Sequence, residues 1–169
     1  MSAQVEAWLS GPLPGVTPLL QPAAHALEQV RRDLPPLLRS LPAGRVWERP
    51  GRSASIGYHA VHLAGSLDRL FTYARGEALS EGQRAALARE RAIDGEQPDV
   101  GELVLLVERA LDAALGQLRN TNEDELLVHR EVGRARAPST ALDLLFHGAE
   151  HSARHAGQIM TLVRVTEPA

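Results

Sequence analysis

The sequence contains neither cysteine nor lysine, and each absence removes whole classes of chemistry. Without Cys, the 169-residue chain has no disulfide, iron–sulfur cluster, thiolate nucleophile or Cys-based zinc site. All 18 basic residues are Arg, which excludes Schiff-base chemistry and a phosphate-loop lysine. Because Arg stays charged at any physiological pH, proton transfer is left to His, Asp, Glu or Tyr.

Aromatic residues and surplus positive charge are also scarce. Aromatics make up 4% of the chain, and the formal net charge is −3. This composition argues against a nucleic-acid partner, which would require a basic stripe and aromatic side chains for stacking. No segment approaches the ~20 consecutive apolar residues of a membrane span, and the N-terminus does not resemble a signal peptide. We therefore expect one domain over residues 1–169, in the cytoplasm and away from membranes.

Apolar residues recur at helical spacing in four long segments, which predicts an all-α protein. These segments are residues 19–41, 55–74, 99–118 and 139–165. Pro35 and Pro36 fall inside the first segment and are expected to kink or break it near Asp33. Gly76 is a natural stop for the second segment.

The connections between these segments are uneven in length. The second connection carries a short extra helix that starts near Ser80, and the third long helix opens with Asp99 and Glu102 as a capping box. Residues 126–132 fit either a short strand or an irregular connection, and residues 1–17 fit a loosely ordered lead-in. The whole pattern predicts a four-helix bundle with a long crossover between helices 2 and 3.

Histidines are concentrated on two of the predicted helices. His147, His151 and His155 stand at i, i+4 and i+8 on the last helix, so neighbouring pairs share one face. Two adjacent imidazoles can bind one ion, whereas the outer pair is ~12 Å apart along the axis. His59 and His62 on the second helix offer the third ligand. Three neutral nitrogens favour zinc, nickel, cobalt or ferrous iron and leave a coordination position open for catalysis.

Two other interpretations use the same histidines. His147, Glu150 and His151 satisfy H-x-x-E-H, the inverted zincin pattern of a metallopeptidase. That site requires an acidic third ligand from a downstream helix, and Glu167 is the only acidic residue after His151. Alternatively, the histidines are ordinary core and surface residues, which is the usual role of a single His on a helix. We expect this structural role for His25 and His129.

The last helix resembles the signature of the DinB/YfiT-like superfamily of bacterial metalloenzymes. The signature, a His, three residues, a second His and then x-Gly-Gln-Ile, is present here from His151 to Ile159. The superfamily's remaining His, followed by an aliphatic residue in helix 2, is matched by His62 and Leu63. The resemblance covers residues 53–90 and 139–165. It implies a four-helix bundle that binds a divalent ion, often zinc or nickel.

Carried over residue by residue, the resemblance assigns His62, His151 and His155 as metal ligands. His59 and His147 then lie one turn away, as alternative ligands or as hydrogen-bonding neighbours of the ligands, and His59 is the alternative to His62 on helix 2.

Related members of the superfamily are transferases and isomerases that use a small-molecule thiol such as bacillithiol or mycothiol. The resemblance thus implies a thiol S-transferase acting on electrophiles, with a hydrolase or a non-catalytic metal-binding protein as the alternatives. Arg69 and Arg154 are candidates to bind a carboxylate of the thiol cosubstrate, and a surface salt bridge is the alternative role for each. Homodimerisation is a further expectation, because many small bundles bury a helical face in that way.

Overall fold

Four long helices pack around one core in the computed structural model, which describes residues 5–92 and 97–166. The helices are α1 (Gln21–Arg39), α2 (Ile56–Ala74), the short α3 (Glu81–Arg91), α4 (Val100–Asn120) and α5 (Ala141–Thr166). α1 and α2 each pack against both α4 and α5, and the crossover helix α3 packs on α2. The predicted all-α class is confirmed, with the addition of one small hairpin.

The predicted helix starts are confirmed by their caps. The Ser55 side chain accepts a hydrogen bond from the backbone N–H of Tyr58 at the start of α2. Ser80 opens α3 with a complete capping box, and Asp99 does the same for α4. Gly76 follows α2 with a φ of 79°, the left-handed conformation that glycine adopts readily after a helix end.

Of the kink or break expected near Asp33, the break is wrong. α1 continues through both prolines to Arg39. Leu34, Pro35 and Leu38 are all buried in the core, and this tertiary packing outweighs the poor helix propensity of proline.

A β-hairpin occupies the connection that the sequence left undecided. β1 (His129–Val132) pairs with β2 (Ala137–Thr140) in antiparallel register. The chain then enters α5 directly, and the Thr140 hydroxyl accepts a hydrogen bond of 3.1 Å from the backbone N–H of Asp143. The hairpin lies beside the C-terminal half of α2, which its β1 strand contacts.

The start of the described chain packs on α1. Ala7 is buried, and its backbone N–H donates a 2.8 Å hydrogen bond to the Gln29 side chain. Residues 1–4 of the predicted lead-in lie outside the described residues, as do residues 93–96 of the break after α3 and Glu167. None of the helices in the described ranges is long and apolar enough to cross a membrane.

Close packing of α2 on α5 depends on a glycine. A Cβ at Gly148 would lie 2.8 Å from the ring of Phe71, closer than real Cβ atoms approach, and 3.3 Å from Leu67, which is a tight contact. Glycine at this point lets the aromatic ring of α2 rest directly on the α5 backbone. The same two helices carry His62, His151 and His155, so the helices that supply the candidate ligands pack closely against each other.

Candidate metal centre

Three histidines from α2 and α5 converge at one point of this interface. His62, His151 and His155 each offer one ring nitrogen, and these atoms all lie within 4.8 Å of one another. The Nε2 atoms of His62 and His151 are 3.0 Å apart. In the part of the chain that the structure describes, no other His, Asp or Glu side chains form such a group.

The helical spacing recognised in the sequence accounts for two of these three histidines. His151 and His155 occupy successive turns of α5, with their ring centroids 4.5 Å apart, and the ring of His62 lies within 5.1 Å of both. His155 is buried, whereas the His62 side chain is 23% exposed. The cluster therefore has an inner end in the core and an outer end that solvent and small molecules can reach.

A buried carboxylate of α3 holds His62 in place. The Nδ1 atom of His62 lies 2.5 Å from one oxygen of Glu90, and the other oxygen accepts a 2.9 Å hydrogen bond from Arg69. Glu90 is only 5% exposed. Because a carboxylate accepts the Nδ1 proton, the lone pair of His62 is left on Nε2, which faces His151. Carboxylate–histidine pairs of this kind orient the imidazoles that bind metals.

Glycine in α2 makes room for this carboxylate. A Cβ at Gly65 would lie 2.8 Å from Nη1 of Arg69 and 3.0 Å from Oε2 of Glu90. Glu90 was not among the candidates from the sequence, since it lies in an ordinary run of Arg, Glu and Ala. Only the packing of α3 on α2 identifies it.

A fourth histidine, His59, contacts the inner end of the cluster. The Nδ1 atoms of His59 and His155 lie 2.9 Å apart, and both side chains are buried. One ring must donate and the other accept across this contact. A donating His155 leaves its Nε2 unprotonated for an ion. The structure thus places His59 as a hydrogen-bonding neighbour, outside the three-His group, and places His62 within it.

The surroundings of the cluster lower the pKa values of three of its histidines, His59, His151 and His155. Burial, followed by repulsion from His151, His62 and His59, lowers the pKa of His155 to about 4. Burial is also the main cause that lowers the pKa of His59 and of His151. Burial alone would raise the pKa of Glu90, but hydrogen bonds from His62 and Arg69 outweigh it and lower that pKa. The neutral forms of His151 and His155 are therefore favoured beside an ionised Glu90, and an imidazole must be neutral to bind a metal.

The residues present fit a divalent metal ion. The Nδ1 atom of His151 is buried and has no hydrogen-bond partner in the described structure, although buried polar atoms are almost always paired. The Nε2 atom of the same ring faces that of His62 instead of a protein oxygen. An imidazole with so few protein partners, beside two other imidazoles, is suited to zinc or nickel.

The remaining candidates lie at the periphery. The His147 side chain is 52% exposed and lies 3.4 Å from Glu150, which also pairs with Arg154 at the surface. The part of the chain that the structure describes, which ends before Glu167, does not assemble the inverted zincin arrangement, because Glu150 pairs with His147 and Arg154 at the surface. His25 hydrogen-bonds to the carbonyl of Gly11. Arg69 is instead committed to Glu90, and its side chain is only 12% exposed.

The fold and the site together define a helical protein with a three-His candidate metal centre. The family model of the DinB superfamily matches residues 26–159. The chain therefore belongs to the DinB superfamily, as its His motifs predicted. A comparison with curated proteins gives no match.

Proposed function

We propose that this protein is a divalent-metal-dependent enzyme, built as a four-helix bundle, whose ion is held by His62, His151 and His155. The observation that carries the proposal is the convergence of three histidine ring nitrogens within 4.8 Å, with the outer end open to solvent. Three protein ligands leave at least one coordination position for water or substrate, as in catalytic sites. Zinc and nickel are the ions that this donor set favours.

The protein's own groups would orient the ligands and exclude water from one side. Glu90 accepts a hydrogen bond from Nδ1 of His62, and His59 contacts Nδ1 of His155. Both ligand rings are therefore held in orientation through their Nδ1 atoms. A divalent ion bound there would lower the pKa of a thiol or a water molecule and make it nucleophilic at neutral pH. His155 lies on the core side, so substrate would approach from the side of His62 and His151.

The reaction we propose is transfer of a small-molecule thiol, of the bacillithiol or mycothiol type, to an electrophile. The support is the superfamily resemblance and an open three-His site in a chain without any thiol of its own. Arg154 pairs with Glu150 one residue from His155, so a cosubstrate carboxylate would compete with Glu150 for this guanidinium. Arg69 would act through Glu90, since that carboxylate already occupies it.

The first experiment is metal analysis of untagged protein by inductively coupled plasma mass spectrometry. Wild type is expected to carry about one zinc or nickel per chain. His155→Ala should lose most of it, whereas His147→Ala, a matched loss of one imidazole outside the three-His group, should retain it. Equal trace metal in all three proteins would remove the basis of the enzymatic proposal.

The reaction class is tested next with the metal-loaded protein. A thiol transferase consumes free thiol in the presence of monobromobimane or a chlorinated nitrobenzene, above the uncatalysed rate and above that of His155→Ala. Hydrolysis of an ester or amide without thiol would favour the hydrolase alternative. Metal binding with neither activity would identify a non-catalytic metal-binding protein.

A further inference from the structure

A large basic cleft lies at the opposite end of α2 from the ligand His62. From His62 to Tyr73, which lines this cleft, the helix axis rises about 17 Å. The β1–β2 hairpin, the end of α2 and part of α3 enclose a volume of about 1010 Å3. Its charged lining consists of Arg84, Arg91, Arg130, Arg134, Arg136, Glu77 and Glu131. The lining thus has three more positive than negative charges, although the chain as a whole carries −3.

The two acidic residues of the cleft do not neutralise this surplus. Glu131 pairs with Arg136 at 2.5 Å. Glu77 pairs with Arg75, which is outside the lining, at 2.7 Å. The carboxylates are therefore already engaged, and four of the five lining arginines lack an ion-pair partner among the described residues.

Two of these four arginines are positioned by neutral groups. Arg130 donates from Nε to the carbonyl of Ala74 at 2.6 Å, and Arg84 donates to another backbone carbonyl. A carbonyl fixes the guanidinium without cancelling its charge. The other two, Arg91 and Arg134, form no ion pair in the described ranges. Like charges held together in a concave surface raise the local potential and attract an oxyanion.

We propose that this cleft binds a small polyanion that carries phosphate or carboxylate groups. Planar guanidiniums bind both groups through paired hydrogen bonds, and several of them suit a multiply charged molecule. The cleft is at the upper end of the usual volume of small-molecule sites. A nucleic acid is a poorer fit, because the rest of the surface is net acidic and the lining has one aromatic residue, Tyr73.

The test is isothermal titration calorimetry, in which the full chain is titrated with inorganic tripolyphosphate and, in parallel, with citrate. Arg134→Glu should weaken binding by about tenfold or more, and Arg91→Glu should do the same. Arg164→Glu is the matched control, since Arg164 is exposed and lies outside the cleft. Preference for one titrant identifies phosphate or carboxylate as the preferred group.

Both probes chelate divalent ions, so each titration is repeated with His155→Ala. Unchanged binding there shows that the cleft and not the metal centre takes up the anion, whether or not the proposed enzymatic function holds. The proposal is overturned if neither anion binds saturably, or if Arg134→Glu and Arg164→Glu weaken binding equally. It is also overturned if a single-stranded oligonucleotide binds more tightly than tripolyphosphate.

Discussion

The contact between Glu90 and His62 provides the sharpest prediction about the metal centre. Glu90→Gln keeps the size of the side chain and removes its charge. The amide has one acceptor oxygen, while His62 and Arg69 both donate to the native carboxylate, at 2.5 and 2.9 Å. Either orientation of the amide therefore turns an N–H toward one of the two donors.

We expect this change to raise the Kd for zinc by about tenfold to a hundredfold, the usual effect of losing the partner of a ligand histidine. That range corresponds to ~1.4–2.8 kcal/mol. The metal-free protein should lose ~1–3 kcal/mol of unfolding free energy, because a buried donor is left without its charged partner. Competition titration against a chromophoric chelator measures the first quantity, and urea unfolding with excess chelator measures the second.

Glu150→Gln is the matched control, because Glu150 lies at the surface, where its side chain is 38% exposed and pairs with Arg154. Its effect on both quantities should stay within about 0.5 kcal/mol. The reasoning is refuted if Glu90→Gln destabilises the protein but leaves zinc affinity unchanged. Glu90 would then serve only to attach α3 to α2.

Further substitutions test the packing around the site. Gly65→Ala should weaken zinc binding severalfold in the chelator titration, because the new Cβ displaces Arg69 and Glu90. The unfolding free energy should stay nearly unchanged, since a helix-propensity gain of ~1 kcal/mol offsets this displacement. A large loss of stability would contradict this. Gly148→Ala should cost ~1–3 kcal/mol in urea unfolding because the new Cβ meets the Phe71 ring. Asp99→Ala should cost about 1 kcal/mol in the same assay through loss of the α4 cap. Excess zinc should raise the Tm of wild type and not that of His155→Ala, and equal shifts would show that zinc binds elsewhere.

Most of the fold could be predicted because its signals are local. Apolar periodicity located the four long helices, and side chains such as Ser80 and Asp99 marked helix starts through contacts with residues three positions away. The break that was one of the two outcomes expected near Asp33 does not occur, because the long-range burial of neighbouring side chains, which propensity does not include, holds α1 together. The β-hairpin was undecided for a similar reason: its four-residue strands are too short for a clear alternation.

The candidate site, like the fold, could be predicted where the signal is local and not where it depends on long-range packing. His151 and His155 could be paired from their spacing on one helix. The family motif, and not any spacing, selected His62 over His59 as their partner on α2. The structure puts both histidines of α2 at the cluster but in different positions, with His59 against the back of His155 and His62 facing His151. Such a distinction depends on the rotation of α2 relative to α5, which no local pattern encodes.

The crossover helix α3 shows what the sequence could not reveal about the site. In this 11-residue helix, whose residues are all described, Glu90 is the one buried side chain. A helix that contributes so little apolar surface is not placed on α2 by the hydrophobic effect alone. Its buried contact is a carboxylate between a candidate metal ligand and an arginine, with Gly65 leaving the space. Burial of an ionised group is favourable only when its partners are fixed. The crossover therefore positions His62, and its contribution to the core is secondary.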